Sequence, residues 1–266
     1  MLWSLLFVVG PFLGGLLLVA LRGVIRLHPT LLSGLAAGVM LVLAAWRPLH
    51  VWVGKKMGFF SILGLLYVGA FSYTAVSRIW NGLRGGKQRL GGGEVMRVEK
   101  GGMNPVDKAT ILACGAVVCQ AVAEGLVLGV AAPHAKGLGM DMLLPAALHG
   151  LPRGVAVAGA MYGGSKNGNM ALLAAAVTGL AGPVGAWGAI LGGLSGKWLE
   201  CWMLLACGAL IPAAGNGLLA RAMRLDRKRT LAGLGMGLAF VLVGLSATRL
   251  MCLTTSYCNS APEAVT

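Results

Sequence analysis

The sequence predicts an all-α membrane protein of eight transmembrane helices, with both termini on the extracytoplasmic side. Three observations carry that expectation. Of 266 residues, 57% are hydrophobic and only 11% are charged, whereas soluble chains carry about 25% charge. The apolar residues gather in eight stretches, each near the roughly 20 residues that cross a bilayer. The basic residues, finally, divide unequally between alternate connections.

The stretches are 2–21, 31–46, 57–80, 108–132, 138–161, 169–192, 198–220 and 230–251. The first is followed by Arg22 and Arg26 and has no basic segment before it, so it reads as a membrane span rather than a cleaved signal peptide. After the second come Arg47, Lys55 and Lys56. The third ends with Arg78 and opens the longest connection, 81–106. The fourth begins at Lys108, and Lys136 separates it from the fifth. Lys166 lies between the fifth and sixth, Lys197 between the sixth and seventh. Arg221, Arg224, Arg227, Lys228 and Arg229 separate the seventh from the eighth, which ends near Arg249. With the N-terminus outside, fifteen of the 22 Lys and Arg fall on the inner side, six on the outer side, and Arg153 within a span. Basic residues concentrate in cytoplasmic connections, so this orientation is the expected one. The stretches are continuously apolar and lack the ten-residue alternation of a β-barrel.

The chain therefore reads as one polytopic domain, 1–266, with little left over for a soluble catalytic unit. The 81–106 connection holds Gly85-Gly86, Gly91-Gly92-Gly93 and Gly101-Gly102 among Arg84, Lys87, Arg89, Arg97 and Lys100. It is expected to be a flexible cytoplasmic loop, able to meet lipid headgroups. The net charge of +14 follows from orientation, and no soluble basic module points to nucleic acid. Small-residue stripes such as Gly34, Ala37, Gly38 and Gly185, Gly188, Gly192 are read as packing devices for close helix approach. No phosphate-binding glycine loop is present.

Ionisable groups inside a span point to function. Three stand out: Glu124 in the fourth span, His149 and Arg153 in the fifth. The fourth reads Gln120-Ala121-Val122-Ala123-Glu124-Gly125 and the fifth His149-Gly150-Leu151-Pro152-Arg153-Gly154. In each, a polar residue precedes an ionisable one by four positions, which places both on one helical face. Pro152 removes a backbone hydrogen bond and is expected to kink its helix at the site.

These two segments resemble the paired His-Asn-x-Pro-Glu-Gly motifs of the ZIP (Zrt-, Irt-like) metal-transporter family. The context is similar too. Leu148–Val157 resembles that family's fifth-helix signature, Thr178-Gly179-Leu180-Ala181-Gly182-Pro183-Val184-Gly185-Ala186 its sixth-helix segment, and Gly34–Leu41 its second-helix segment. The resemblance implies an eight-helix bundle and a permease for divalent cations such as zinc, the metal being substrate rather than cofactor. It also implies a mid-membrane site, here Gln120, Glu124 and His149. The departures are specific. Gln120 and Ala121 replace His and Asn of the first motif, and Ala123 its Pro. Gly150 and Arg153 replace Asn and Glu of the second. Gly182 stands where the sixth helix would carry Glu. One of three carboxylates remains.

A zinc site wants about four N, O or S ligands. Arg153 brings a permanent positive charge to the same place, since its guanidinium does not deprotonate. The simpler expectation is that Arg153 occupies the metal's position as a gating or metal-mimicking cation paired with Glu124. Such a pair offsets the roughly 2.5–3.5 kcal/mol cost of an Arg in mid-membrane. Two functions follow: a ZIP-like permease working by alternating access, or a non-transporting relative with a Glu124–Arg153 lock, regulatory or partner-binding. No nucleophile–base arrangement suggests an enzyme.

The remaining candidates have bland readings. Cys114, Cys119, Cys201 and Cys207 are expected to be buried apolar residues, and Met40, Met142, Met161, Met203 and Met223 gap-fillers. Cys252 and Cys258, on the outer side, would bridge in an oxidising compartment. His28, His50 and His134 are read as interfacial. Pro212, with Asn216 one turn on, marks an irregular seventh span. No cofactor is expected, and the partners are the lipid bilayer, a metal ion and a second copy as homodimer. A compact chain of this kind fits a bacterial inner membrane.

Overall fold

The computed structural model describes residues 6–24, 28–54, 56–84, 108–131, 140–192 and 196–254. Every regular element among them is helical. The elements are α1 (Leu6–Val24), α2 (Pro29–Val53), α3 (Phe59–Arg84), α4 (Lys108–Ala131), α5 (Met140–Ser165), α6 (Gly168–Gly192), α7 (Gly196–Pro212), a π-helical segment (Ala213–Leu219), α8 (Ala220–Leu225) and α9 (Arg227–Thr254). Six helices among the described residues are long and apolar enough to cross a membrane: Pro29–Val53, Phe59–Trp80, Ala109–Val130, Gly168–Gly192, Trp198–Leu225 and Arg227–Ala247. Val8–Leu21 is a shorter apolar helix. The protein is a multi-pass membrane protein. Much of its outer surface is apolar, as at Phe60, Tyr67, Leu191 and Val243.

The expected apolar stretches thus fall on helices, with shifted ends. The second runs on through Arg47 and Pro48 to Val53, so Arg47 belongs to a helix rather than to a connection. The last runs to Thr254 and includes Cys252, placed by the sequence reading beyond the span. The 81–106 loop, apart from the end of α3, lies outside the described residues, as do His134 and Cys258.

The helices form two groups. In the first, α6 packs on α1, α4 and α5, and α5 packs on α1 and α4. In the second, α2 packs on α9 and α7, and α3 packs on α7. Within each group the helices meet at paired glycines. The pairs are Gly14 with Gly154 (α1 and α5), Gly34 with Gly233 (α2 and α9), Gly69 with Gly208 (α3 and α7) and Gly125 with Gly185 (α4 and α6). One register recurs in all four. A Cβ added to either glycine would strike the carbonyl oxygen three residues before the other. Gly14 faces Leu151 and Gly154 faces Pro11. Gly34 faces Thr230 and Gly233 faces Leu31. Gly69 faces Leu205 and Gly208 faces Leu66. Gly125 faces Gly182 and Gly185 faces Val122. One turn on, Gly38 and Gly237 repeat the α2–α9 pattern, so these two helices run in the same direction. Lipid gives no hydrophobic drive between spans. Association rests instead on the close backbone contact that small residues permit, with Cα–H···O contacts as a second-order contribution.

Between the groups the fit is looser. A Cβ on Gly159 of α5 would lie 3.5 Å from the Leu32 carbonyl oxygen of α2, and one on Gly163 would lie 3.3 Å from that of Pro29. A Cβ on Gly217 of the π segment would lie 3.7 Å from the Ala109 carbonyl oxygen of α4. The seam is filled by small side chains. Ala36, Ala37 and Met40 of α2 meet Ala156, Val157 and Ala160 of α5, Ala113 and Val117 of α4, and Ala213 and Ala214 of the π segment, all buried. Backbone interlocks join α1 to α5, α4 to α6, α2 to α9 and α3 to α7, while side-chain packing joins these pairs. Of the second predicted stripe, Gly185 is at a crossing, but Gly188 and Gly192 are exposed.

Candidate functional site

Glu124 stands four residues after Gln120, one helical turn along α4. The Gln120 side-chain amide donates to Glu124 Oε1 at 3.4 Å. From the neighbouring helix α5, Arg153 Nη2 donates to Glu124 Oε2 and forms an ion pair with it. Gln120 is 2% exposed and Arg153 6%. The Glu124 side chain keeps 24% of its surface, so the carboxylate forms the open side of the cluster. Two buried polar atoms have no hydrogen-bond partner among the described residues: Gln120 Oε1, an acceptor, and Arg153 Nε, a donor.

Local packing explains where this cluster sits. Ala123 precedes Glu124 and packs against Met203, Ala206 and Cys207 of α7, so this turn of α4 lies against the second group. Gly125 follows and makes the tight crossing with α6 at Gly182. Glu124 is therefore held between a fixed contact and the seam between groups. Cys207 is fully buried there, its thiol 3.9 Å from the Leu43 carbonyl oxygen.

Of the residues singled out by sequence, the structure brings Gln120, Glu124 and Arg153 together. His149 lies on α5 one turn before Arg153, but its side chain is outside the described residues. Gly182 is buried on α6, and its carbonyl faces Gly125. Pro152 lies within α5, which runs from Met140 to Ser165. The departure from α geometry follows Pro212, where seven residues form a π-helical segment. A proline that frees a carbonyl invites such a local rewinding. Asn216 within it is exposed.

Among the described residues no three His, Cys, Asp or Glu side chains are grouped to hold a metal ion. Cys114, Cys119, Cys201 and Cys207 are free thiols. Cys207 is buried, Cys114 and Cys201 are partly so, and Cys119 is exposed, contrary to the expectation that all four are buried. Met40 and Met203 are core residues. His28 contacts Thr30 through Nδ1 at 2.8 Å, and His50 packs edge-on against Trp46.

Sequence reasoning missed a second ion pair. Arg47 near the end of α2 grips Glu200 near the start of α7 with two donors, Nε at 3.2 Å and Nη2 at 2.8 Å. Lys56 approaches the same carboxylate at 3.8 Å. The available signal was the scarcity of acid: Glu200 is one of only eight acidic residues in the chain.

No family model matches the sequence. The chain is 46% identical over 263 residues, 98% of its length, to the Arabidopsis thaliana protein named "Putative zinc transporter At3g08650". It spans 42% of that relative's length.

Proposed function

We propose that this chain is a ZIP-like membrane permease for divalent metal cations, zinc or a similar ion being the substrate. The observation that carries the reading is the buried convergence of Gln120, Glu124 and Arg153 between α4 and α5, at the seam between two helix groups. The plant relative's name agrees with the family resemblance carried by residues 120–125, 149–154 and 178–186. In this reading eight helices span the bilayer with both termini outside, and the 81–106 connection is a cytoplasmic loop. The group of α1, α4, α5 and α6 moves against the group of α2, α3, α7 and α9, exposing the site to each side in turn. Tight backbone crossings within each group and looser contacts between them suit such a motion.

Gln120, Glu124 and His149 are the proposed ligands, with Gly182 in place of a further carboxylate. Arg153 acts as a gate: its guanidinium holds Glu124 until a cation competes for the carboxylate. A like charge beside an entering ion costs several kcal/mol in a poorly solvated site, so flux is expected to be slow. The plant relative gives no support to a bacterial inner membrane, and that localisation is not carried forward. A homodimer belongs to the same proposal.

The Arg153–Glu124 contact also favours a second reading, a non-transporting relative in which the pair is a permanent lock. Zinc uptake into proteoliposomes separates the two. Saturable uptake by the parent, abolished in Glu124→Ala, supports the permease. No uptake by the parent, with uptake gained in Arg153→Glu plus Gly182→Glu, supports the lock.

A further inference from the structure

We propose that the turn between α8 and α9 is a binding site for anionic phospholipid headgroups. Five cations stand within nine residues: Arg221, Arg224, Arg227, Lys228 and Arg229, all exposed. The acid in this run is Asp226, and it is engaged locally. Its Oδ1 accepts the Arg229 backbone N–H at 3.1 Å, its Oδ2 lies 3.3 Å from Arg229 Nε, and its carbonyl accepts the Thr230 hydroxyl at 2.7 Å. Thr230 is fully buried, and its own carbonyl sits against Gly34 of α2. The turn is thus anchored on both sides, and the cationic surface is preformed.

Three features select a lipid headgroup. The apolar spans Trp198–Leu225 and Arg227–Ala247 meet at this turn, and Leu225 and Leu231 are exposed beside the cations, so the cluster lies at the edge of the hydrocarbon. Four of the five cations are Arg, whose planar fork matches phosphate oxygens two at a time. Arg227, Lys228 and Arg229 occupy the first turn of α9, which contains no acid. A helix N-terminus carries partial positive charge and favours anions; Asp226 offsets part of this through Arg229, and the remaining excess of cations favours a further, external anion. Basic clusters at a span's end have this affinity for anionic lipid.

The test uses the full chain in nanodiscs of pure phosphatidylcholine, or with phosphatidylserine added, read by thermal unfolding and by native mass spectrometry of retained lipid. The parent is expected to unfold at higher temperature in the anionic discs and to retain phosphatidylserine. Arg224→Gln plus Arg227→Gln plus Lys228→Gln should lose that increment, lipid affinity falling about fivefold per cation removed, with no loss of stability in phosphatidylcholine. Should that variant fail to fold, Arg224→Lys plus Arg227→Lys keeps the charge and removes the fork, and should weaken retention. Equal lipid retention by the parent and whichever variant folds would overturn the proposal. So would an equal loss in Arg78→Gln plus Lys166→Gln, which removes charge elsewhere, or an equal stabilisation by millimolar inorganic phosphate, which would mark a free-anion site.

Discussion

Arg153 of α5 reaches across to Glu124 of α4, 29 residues away in sequence, and places its guanidinium on the carboxylate while Gln120 holds the other oxygen. The charge of a buried Arg is fixed, so the pair's stability hangs on the acid. Removing one partner of a buried pair leaves an uncompensated charge and costs about 3–5 kcal/mol. The open side of Glu124 places the expected loss for Glu124→Ala at the lower end. Replacing both, as in Glu124→Leu plus Arg153→Met, should restore most of it, because apolar pairs of similar volume match or exceed buried ion pairs. Thermal unfolding in detergent is the measurement. An unchanged midpoint in Glu124→Ala would refute the coupling.

The glycine crossings make a sharper prediction because neighbouring positions differ in outcome. Gly125→Ala would drive a methyl into the Gly182 carbonyl, and Gly34→Ala one into that of Thr230. Backbone cannot yield as a side chain can, so each should cost about 1–3 kcal/mol, as overpacking does. Gly188→Ala meets nothing within 4 Å and should be neutral or slightly stabilising, Ala being the better helix former. Equal effects at Gly125 and Gly188 would contradict the crossing geometry.

The all-helical architecture and the order of the apolar helices were legible because apolar run length reports helix length directly. The approach of Glu124 to Arg153 was legible too, since an acid and a fixed cation well inside neighbouring spans have few other partners. Two things were not. The Arg47–Glu200 pair joins helices more than 150 residues apart, and charges near helix ends look the same whether paired or solvated. The reciprocal register of Gly14, Gly34, Gly69 and Gly125 with their partners was invisible because 43 glycines offer many stripes. Gly185 in fact packs while Gly188 does not. The irregular seventh span was legible at Pro212, since a proline frees a carbonyl that the helix must satisfy in another way.

For the Arg47–Glu200 pair the expected effect is small. Both side chains keep solvent contact, 32% and 21% of their surface, and exposed pairs contribute about 0.2–1 kcal/mol. The two-pronged geometry argues for the upper end. Glu200→Gln should lower the unfolding midpoint slightly at low salt, with the difference fading toward 1 M salt as screening shortens to about 3 Å. A loss that persists at high salt would mean that the pair is sealed from water.

Relative motion of the two helix groups can be tested by cross-linking. A Cβ on Gly217 of the π segment would stand 4.0 Å from the Ala113 Cβ of α4, across the seam between groups. A Cβ on Gly164 of α5 would stand 4.0 Å from the Thr110 Cβ of α4, within one group. Both distances lie in the 3.5–4.5 Å range that a disulfide spans. In a background lacking the native cysteines, Ala113→Cys plus Gly217→Cys should stop zinc uptake when oxidised and recover it with reductant. Thr110→Cys plus Gly164→Cys should bridge equally well and leave uptake unchanged, because the proposed motion carries α4 and α5 in the same group. If both bridges block uptake, or neither does, the seam between the groups is not where the protein moves. The within-group bridge also guards against a trivial result, since a general loss of flexibility would slow both variants alike.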